Sequence, residues 1–284
     1  MTDVAVAAAI RAAAEQLSAT SDTARLDAEV LMAHALGVTR SQLLLSRMRD
    51  PAPEGFAPLV ERRALHEPVA YITGQQEFFS LPFIVGPDVL IPRGDSEVLV
   101  ETAIAARPGA RTVLDCGTGS GALLLATLVN LPAARGIGID RSPGALAIAQ
   151  ANAEALGLAD RAAMVPADWH EPGWSDALGG PFDLILANPP YVEDDAALDA
   201  SVRAFEPAGA LFSGPHGLDD YRILLPQLPG LLAPGGAALV EIGHEQAEAV
   251  IAIGEACGLS ARFHRDLAGR ARVIAFWWTN MHEA

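Results

Sequence analysis

Two apolar runs, each closing on residues suited to a polar ligand, constrain the fold of this chain more than any other feature. Arg111-Thr112-Val113-Leu114-Asp115-Cys116 reads as a buried strand and passes into Gly117-Thr118-Gly119-Ser120-Gly121. The pattern then predicts a helix over Ala122 to Asn130, a strand over Gly136 to Asp140 and a helix over Pro143 to Leu156. Strands alternating with helices in this way form a parallel sheet. Further strands are expected at Ala162 to Val165, Phe182 to Ala187, Gly236 to Ile242, Ala261 to Asp266 and Val273 to Trp277, with a helix over Glu245 to Cys257. No internal repeat is visible.

In the loop from Asp115 to Gly121 the glycines allow close backbone approach, and the following helix presents unpaired N–H groups to a polar ligand. Gly117, Gly119 and Ala122 also satisfy the G-x-G-x-x-G/A template, so the loop alone fits a nicotinamide dinucleotide as well as S-adenosyl-L-methionine. Asp140, at the end of the second strand, can accept hydrogen bonds from both ribose hydroxyls of either cofactor; its alternative is a capping role near Ser142 and Pro143. Asp168-Trp169 follows the third strand, where a carboxylate can meet an adenine amino group and an indole can cover its ring. The plainer reading of that pair is a surface turn with a half-buried aromatic.

The fourth strand separates the two cofactors. Phe182-Asp183-Leu184-Ile185-Leu186-Ala187 runs into Asn188-Pro189-Pro190-Tyr191. The two prolines remove two backbone donors and fix φ, so carbonyl oxygens can face a ligand without competing N–H groups. Asn188 adds a side-chain acceptor and Tyr191 a flat face. Two acceptors, the Asn188 side chain and the Pro189 carbonyl, would hold the hydrogens of a planar NH₂ and favour the tetrahedral nitrogen of a transition state. A Pro-Pro turn that merely ends a strand is the alternative. A dehydrogenase has no use for such a clamp where the crevice opens, so the expected cofactor is S-adenosyl-L-methionine.

With 284 residues, half of them apolar, the chain can build a large domain and a smaller one. The formal charge of −16 disfavours tracking of a phosphate backbone, so no direct nucleic-acid binding is expected and a protein or small-molecule substrate fits better. All nineteen basic residues are Arg, which excludes Schiff-base chemistry on a lysine of this chain. Cys116 and Cys257 are too few for a disulfide framework or structural zinc, and a reducing cytoplasm is the simplest setting. The stretch from Val4 to Leu17 carries Arg11 and Glu15 and reads as an ordinary helix; no membrane span is expected. Helical periodicity continues to about Tyr71, with Gly37 as a stop. Phe78, Phe79, Leu81, Phe83, Val85, Val89 and Ile91, punctuated by Pro82, Gly86-Pro87 and Pro92, suggest a short hairpin or extended connector.

These residues together resemble the release-factor glutamine methyltransferases, the HemK/PrmC family, from about Leu26 to Phe276. The likeness rests on Leu26-Asp27-Ala28-Glu29, Glu67 to Gly74, Glu77-Phe78-Phe79, Leu90-Ile91-Pro92-Arg93, the Asp115 to Gly121 loop, the Asn188 to Tyr191 motif and Phe205-Glu206-Pro207. It implies a Rossmann-like methyltransferase sheet of seven strands with the last antiparallel, over residues 93–284. It also implies an N-terminal helical domain over 1–74 that docks the protein substrate and a β-hairpin connector over 75–92. The implied reaction is methylation of N5 of the glutamine in the Gly-Gly-Gln motif of peptide-chain release factors. By the same resemblance Gly117 to Gly121, Asp140, Trp169 and Asn188 contact the cofactor, and Asn188, Pro189, Pro190 and Tyr191 the glutamine. Asp115, Thr118, Ser120 and Asp168 join the expected cofactor set.

The chain departs from the family pattern at Gly94, where proline usually follows Ile-Pro-Arg, and at Pro215-His216, which interrupts Gly-x-Asp-Gly-Leu. A related subfamily methylates a glutamine of a ribosomal protein, but its connector typically reads Pro-Arg-Ser-Pro; Asp95-Ser96-Glu97 favours the release-factor branch. DNA and RNA amino-methyltransferases use a similar clamp, and the net charge argues against them. A non-enzymatic sensor that binds the cofactor remains a further alternative. His34, His66, His170, His216, His244, His264 and His282 lack metal-ligand spacing, and no metal is expected. Glu193-Asp194-Asp195 reads as a solvated acidic loop, Trp277-Trp278 as part of the last strand, and Arg93 either as an anchor for the substrate loop or as a partner for Asp95.

Overall fold

A computed structural model describes residues 4–279. Backbone contacts divide the chain into two units, residues 1–75 with 198–205, and residues 76–197 with 206–284.

The first unit is helical. Val6, Ile10, Ala13 and Leu17 recur on one face of the helix Val6–Leu17 and are buried. The helix Ala24–Leu36 ends on Gly37 in the left-handed region, as its sequence indicates. Shorter helices follow at Arg40–Gln42, continued by a π-helical turn Leu43–Arg47, and at Phe56–Ala64, Val69–Thr73 and Ala200–Phe205. Two buried carboxylates tie this unit together. Glu29 meets Arg25 at 2.6 Å and Arg40 at 2.7 Å, and Asp27 meets Arg63 at 2.7 Å. Burial pushes the Glu29 carboxyl up, but the two guanidinium groups prevail and hold it below its ordinary range.

A hairpin follows, β1 (Gln75–Phe78) and β2 (Leu81–Ile84), all but Gln75 of it in the second unit. Its two-residue turn, Phe79-Ser80, has φ of 53° and 59°, the twist that suits tight hairpins. A helix Glu97–Ala106 then precedes β3 (Thr112–Cys116), β4 (Arg135–Asp140), β5 (Ala162–Pro166), β6 (Phe182–Ala187), β7 (Leu232–Glu241), β8 (Leu259–Arg265) and β9 (Ala271–Trp278). The seven strands stand in the order β5-β4-β3-β6-β7-β9-β8, with β9 antiparallel to both neighbours, the arrangement the family resemblance implies. β7 starts four residues before its expected beginning, because Leu232 pairs with Phe182 ahead of a register shift. The helices Ala122–Asn130, Pro143–Ala155 and Ala247–Ala256 fall on or just inside their expected spans.

Both sheet faces are covered. Leu184 and Leu186 of β6 pack into one core with Leu99, Leu124 and Leu128, while Ile185 and Ala187 enter another with Leu114, Tyr221, Leu224 and Val240. This alternation on a strand buried on both sides explains its continuous apolar sequence. The chain runs outward in opposite directions from the β3/β6 boundary, so the strand ends diverge there and leave a crevice.

Candidate active site

Strand register sets the site. Cys116 pairs with Ile139 and with Ala187, and Ala187 pairs with Val240. The next residues, Gly117, Asp140, Asn188 and Glu241, therefore stand in a row along one edge of the sheet. The cavity at this edge is lined by Gly117, Thr118, Gly119, Ser120, Asp140, Asp168, Trp169, Asn188 and Pro190, and further by Ser96, Arg93 and Asp220. Asp115, Gly121, Pro189 and Tyr191 stand outside its lining.

On the glycine-loop side, Asp140 accepts the Gly119 N–H at 2.9 Å with one oxygen and the Ser142 N–H at 2.9 Å with the other. Ser142 itself caps the helix Pro143–Ala155 through the Ala145 N–H. Asp140 thus ties the loop to β4, and each of its oxygens retains a lone pair for a hydroxyl donor. Asp115 lies beneath the loop, wholly buried, and takes the Thr118 hydroxyl at 2.7 Å. Burial pushes its carboxyl up to about 7, against the Thr118 hydrogen bond and the Leu124 N–H. Gly121 caps the helix Ala122–Asn130, and Ala122 and Leu123 of its first turn line the cavity.

Trp169 lies over the loop. A Cβ on Gly117 would come within 3.0 Å of the indole ring, and φ at Gly117 is 74°, so both the turn and the ring contact require glycine. The indole N–H donates to Asp220 at 3.2 Å, and the ring stacks against His170. Asp168 accepts the His170 N–H at 3.0 Å and engages the His170 Nδ1 at 2.7 Å. Burial opposes it, but these bonds hold the Asp168 carboxyl below its ordinary range. Asp220 is absent from the expected site. It is buried, fixed by the Ser213 hydroxyl at 2.7 Å, and its place behind Trp169 is set by a fold contact 51 residues away.

On the clamp side, Pro189 and Pro190 are buried and Asn188 is half-buried against the cavity. The Tyr191 face expected to meet the target nitrogen is not part of the cavity wall. Its hydroxyl instead donates to the buried Glu241 carboxylate at 3.4 Å, and burial pushes the phenol up to about 12. The Tyr191 carbonyl accepts Gln246 Nε2 at 3.0 Å, and a Cβ at Gly217, whose φ is 62°, would fall 2.1 Å from that oxygen. Of the two readings for Arg93, the pairing with Asp95 does not occur: Arg93 pairs with Glu206 at 2.5 Å, and Asp95 pairs with Arg272 at 3.1 Å. Glu206 also accepts the Ile91 N–H, which draws the 91–93 segment onto the cavity rim.

Among the described residues no cluster of His, Cys, Asp and Glu could hold a metal ion, and no helix is long and apolar enough to cross a membrane. His282 lies outside the described residues. Glu193, Asp194 and Asp195 are exposed.

Residues 8–74 match the family model described as the PrmC N-terminal domain, and residues 109–250 match a methyltransferase domain. The release factor glutamine methyltransferase of Rhodospirillum rubrum is 43% identical over 257 residues, covering 88% of this chain and 78% of its own. That of Geobacter sulfurreducens is 44% identical over 260 residues, 89% of each chain. Among solved structures, an O-methyltransferase family protein from Burkholderia thailandensis matches with a TM-score of 0.51 at 15% identity, over 90% of this chain and 95% of that one, a likeness of fold.

Proposed function

The chain belongs to the release factor glutamine methyltransferase family, and on that premise we propose that it methylates N5 of the glutamine in the Gly-Gly-Gln motif of peptide-chain release factors, using S-adenosyl-L-methionine. The observation that carries this reading is the pairing of Cys116 with Ala187, which sets the glycine loop beside Asn188 and Pro190 at one cavity.

The residues present fit the cofactor. Asp140 has acceptors left for ribose hydroxyls, Ser120 of the Gly117 to Gly121 loop lines the cavity at a helix N-terminus, and Trp169 presents an indole fixed by Asp220. Asp168 lines the same end and offers a carboxylate to an amino group. When bound there, S-adenosyl-L-methionine supplies an activated methyl group.

The chain's own residues then orient the acceptor. The Asn188 side-chain oxygen and the Pro189 carbonyl take the two amide hydrogens, turning the glutamine nitrogen for in-line attack. Those hydrogens become more acidic as the nitrogen gains positive charge, so both bonds strengthen in the transition state. Proton loss follows transfer, and a strong base is not required. Pro190 walls the slot, and its missing N–H leaves no competing donor there. The helical unit docks the protein substrate. The acidic overall charge suits a protein substrate better than a nucleic acid, and the site of action is the cytoplasm, where translation termination takes place.

The deciding experiment is mass spectrometry of the Gly-Gly-Gln peptide after a release factor is incubated with the protein and cofactor. A methyl group on the glutamine amide is expected; label appearing only on a ribosomal protein, DNA or RNA rejects the substrate.

A further inference from the structure

Glu241 is the last residue of β7 and lies beside Asn188 in the row of strand ends, yet it has no part in the chemistry above. Its side chain is wholly buried. Oε1 faces the Tyr191 hydroxyl at 3.4 Å, and Ser96 and the Arg272 charge lie nearby. The other oxygen, Oε2, has no hydrogen-bond partner. A buried, half-satisfied carboxylate costs stability that an apolar side chain of like size would not. Its place therefore calls for a reason outside folding.

Five residues further on, the same strand exit reaches Tyr191 a second time. Gln246 donates from Nε2 to the Tyr191 carbonyl, while its Oε1 accepts the Gly243 N–H at 3.0 Å, which fixes the amide's orientation. Gly217 leaves the space that the Tyr191 carbonyl fills. Tyr191 is thus held at both ends, by its phenol and by its main chain, from one short segment. Pro189 and Pro190 are stiff, so a rotation at Tyr191 is passed back to Asn188 rather than absorbed between them.

We propose that Glu241 and Gln246 are positioning residues for methyl transfer: they grip Tyr191 and so fix the angle at which Asn188 and Pro189 present their oxygens to the substrate nitrogen. In this arrangement Tyr191 is the peg of the clamp. Ser96, which lines the cavity and lies near Glu241, belongs to the segment that follows the hairpin. The proposal rests on the glutamine methyltransferase reading.

The test compares wild type with Glu241→Leu, Glu241→Gln, Gln246→Ala, Tyr191→Phe and the double variant Tyr191→Phe/Glu241→Leu. Single-turnover methylation of a full-length release factor is measured, with calorimetric affinity for S-adenosylhomocysteine as a control on the cofactor site. Glu241→Leu and Gln246→Ala are expected to slow single-turnover transfer, by up to roughly tenfold, the scale of one hydrogen bond, with cofactor affinity changed less than about twofold. Glu241→Gln, which keeps an acceptor for the phenol, restores most of the rate. The double variant is expected to be no more than about twofold slower than Tyr191→Phe, since both changes remove the same contact. Wild-type rates in Glu241→Leu, or losses that multiply in the double variant, overturn the proposal. Should Glu241→Leu fail to fold, Gln246→Ala decides alone: a wild-type rate there overturns it. A wild-type protein that binds S-adenosylhomocysteine but leaves the glutamine unmethylated instead overturns the functional reading, and the grip on Tyr191 loses its purpose with it.

Discussion

Trp169 donates its indole N–H to Asp220 across 3.2 Å, and the opposite edge of the ring rests where a side chain on Gly117 would have to stand. Ser213 locks Asp220 from behind, donating its hydroxyl to the carboxylate and accepting the Asp220 N–H at 2.8 Å. The indole is therefore set before any ligand arrives, which spares the cost of ordering it on binding. Replacing Asp220 with Ala frees the ring, and calorimetry should show affinity for S-adenosylhomocysteine falling about tenfold, the value of one hydrogen bond near 1.4 kcal/mol. Gly117→Ala should weaken it further, because it strains the backbone as well as displacing the ring. Unchanged affinity in both variants would mean that the ring does not cover the ligand.

Asn188 is the single side-chain acceptor in the proposed clamp. Asn188→Ala removes an oxygen that gains strength only as charge develops on the substrate nitrogen. Single-turnover transfer should slow by about two orders of magnitude, on the order of 3 kcal/mol, when cofactor is saturating. If the rate stays near wild type, the assignment of Asn188 is wrong.

Gly94 opens the 3₁₀ turn Gly94–Ser96, preceded by Arg93 at φ −101° and ψ 142°. That extended conformation is the one a following proline requires, and a Cβ on Gly94 would meet nothing within 4 Å. Proline at the head of a turn also loses no needed donor. Gly94→Pro, which restores the residue usual in the family, should stabilise the protein by roughly 0.5–1 kcal/mol through the unfolded chain, seen as a higher denaturation midpoint. A lower midpoint would show that Gly94 adopts a backbone angle proline cannot reach.

What could be read from the sequence is what neighbours along the chain determine. Ala122–Asn130 and Phe182–Ala187 match their expected limits because apolar runs end on glycine, asparagine or aspartate there. The helix Glu97–Ala106 has no such signature: it buries Leu99, Val100, Thr102 and Ala103, and no clean polar face marks its period. The site divides in the same way. The glycine loop, Asp140 and Asn188 are visible in sequence because each belongs to a local motif, and register then brings them together. Asp220 and Glu241 are not, because each matters through a partner 50 or 51 residues away, Tyr191 for Glu241 and Trp169 for Asp220, while Glu206, which a motif does mark, meets its partner Arg93 only across 113 residues. Tyr191 shows the limit best. A motif identifies the residue, but only the fold shows that its hydroxyl turns inward to a buried carboxylate.

Two buried carboxylates, Asp115 and Glu241, should mark the pH dependence of stability. Burial pushes Asp115 up to about 7 from 3.8 and Glu241 up to about 7 from 4.5, against the hydrogen bonds each receives. The folded protein therefore holds two protons that the unfolded chain has released between those limits. The stability they contribute is complete below the unfolded values and is lost as pH rises through the folded ones. Asp115→Asn and Glu241→Gln remove the titration while keeping the side-chain shape. Urea denaturation from about pH 4 to about pH 8 should show the wild type losing on the order of 3 kcal/mol relative to each variant, which grows comparatively more stable toward neutral pH. His264 titrates in the same window with the opposite sign, since its folded value is lowered by burial, but it is common to all three proteins and cancels in the difference. A wild-type curve parallel to that of Asp115→Asn would mean that the Asp115 carboxylate beneath the loop is ionised throughout, with a donor on the oxygen that here has none.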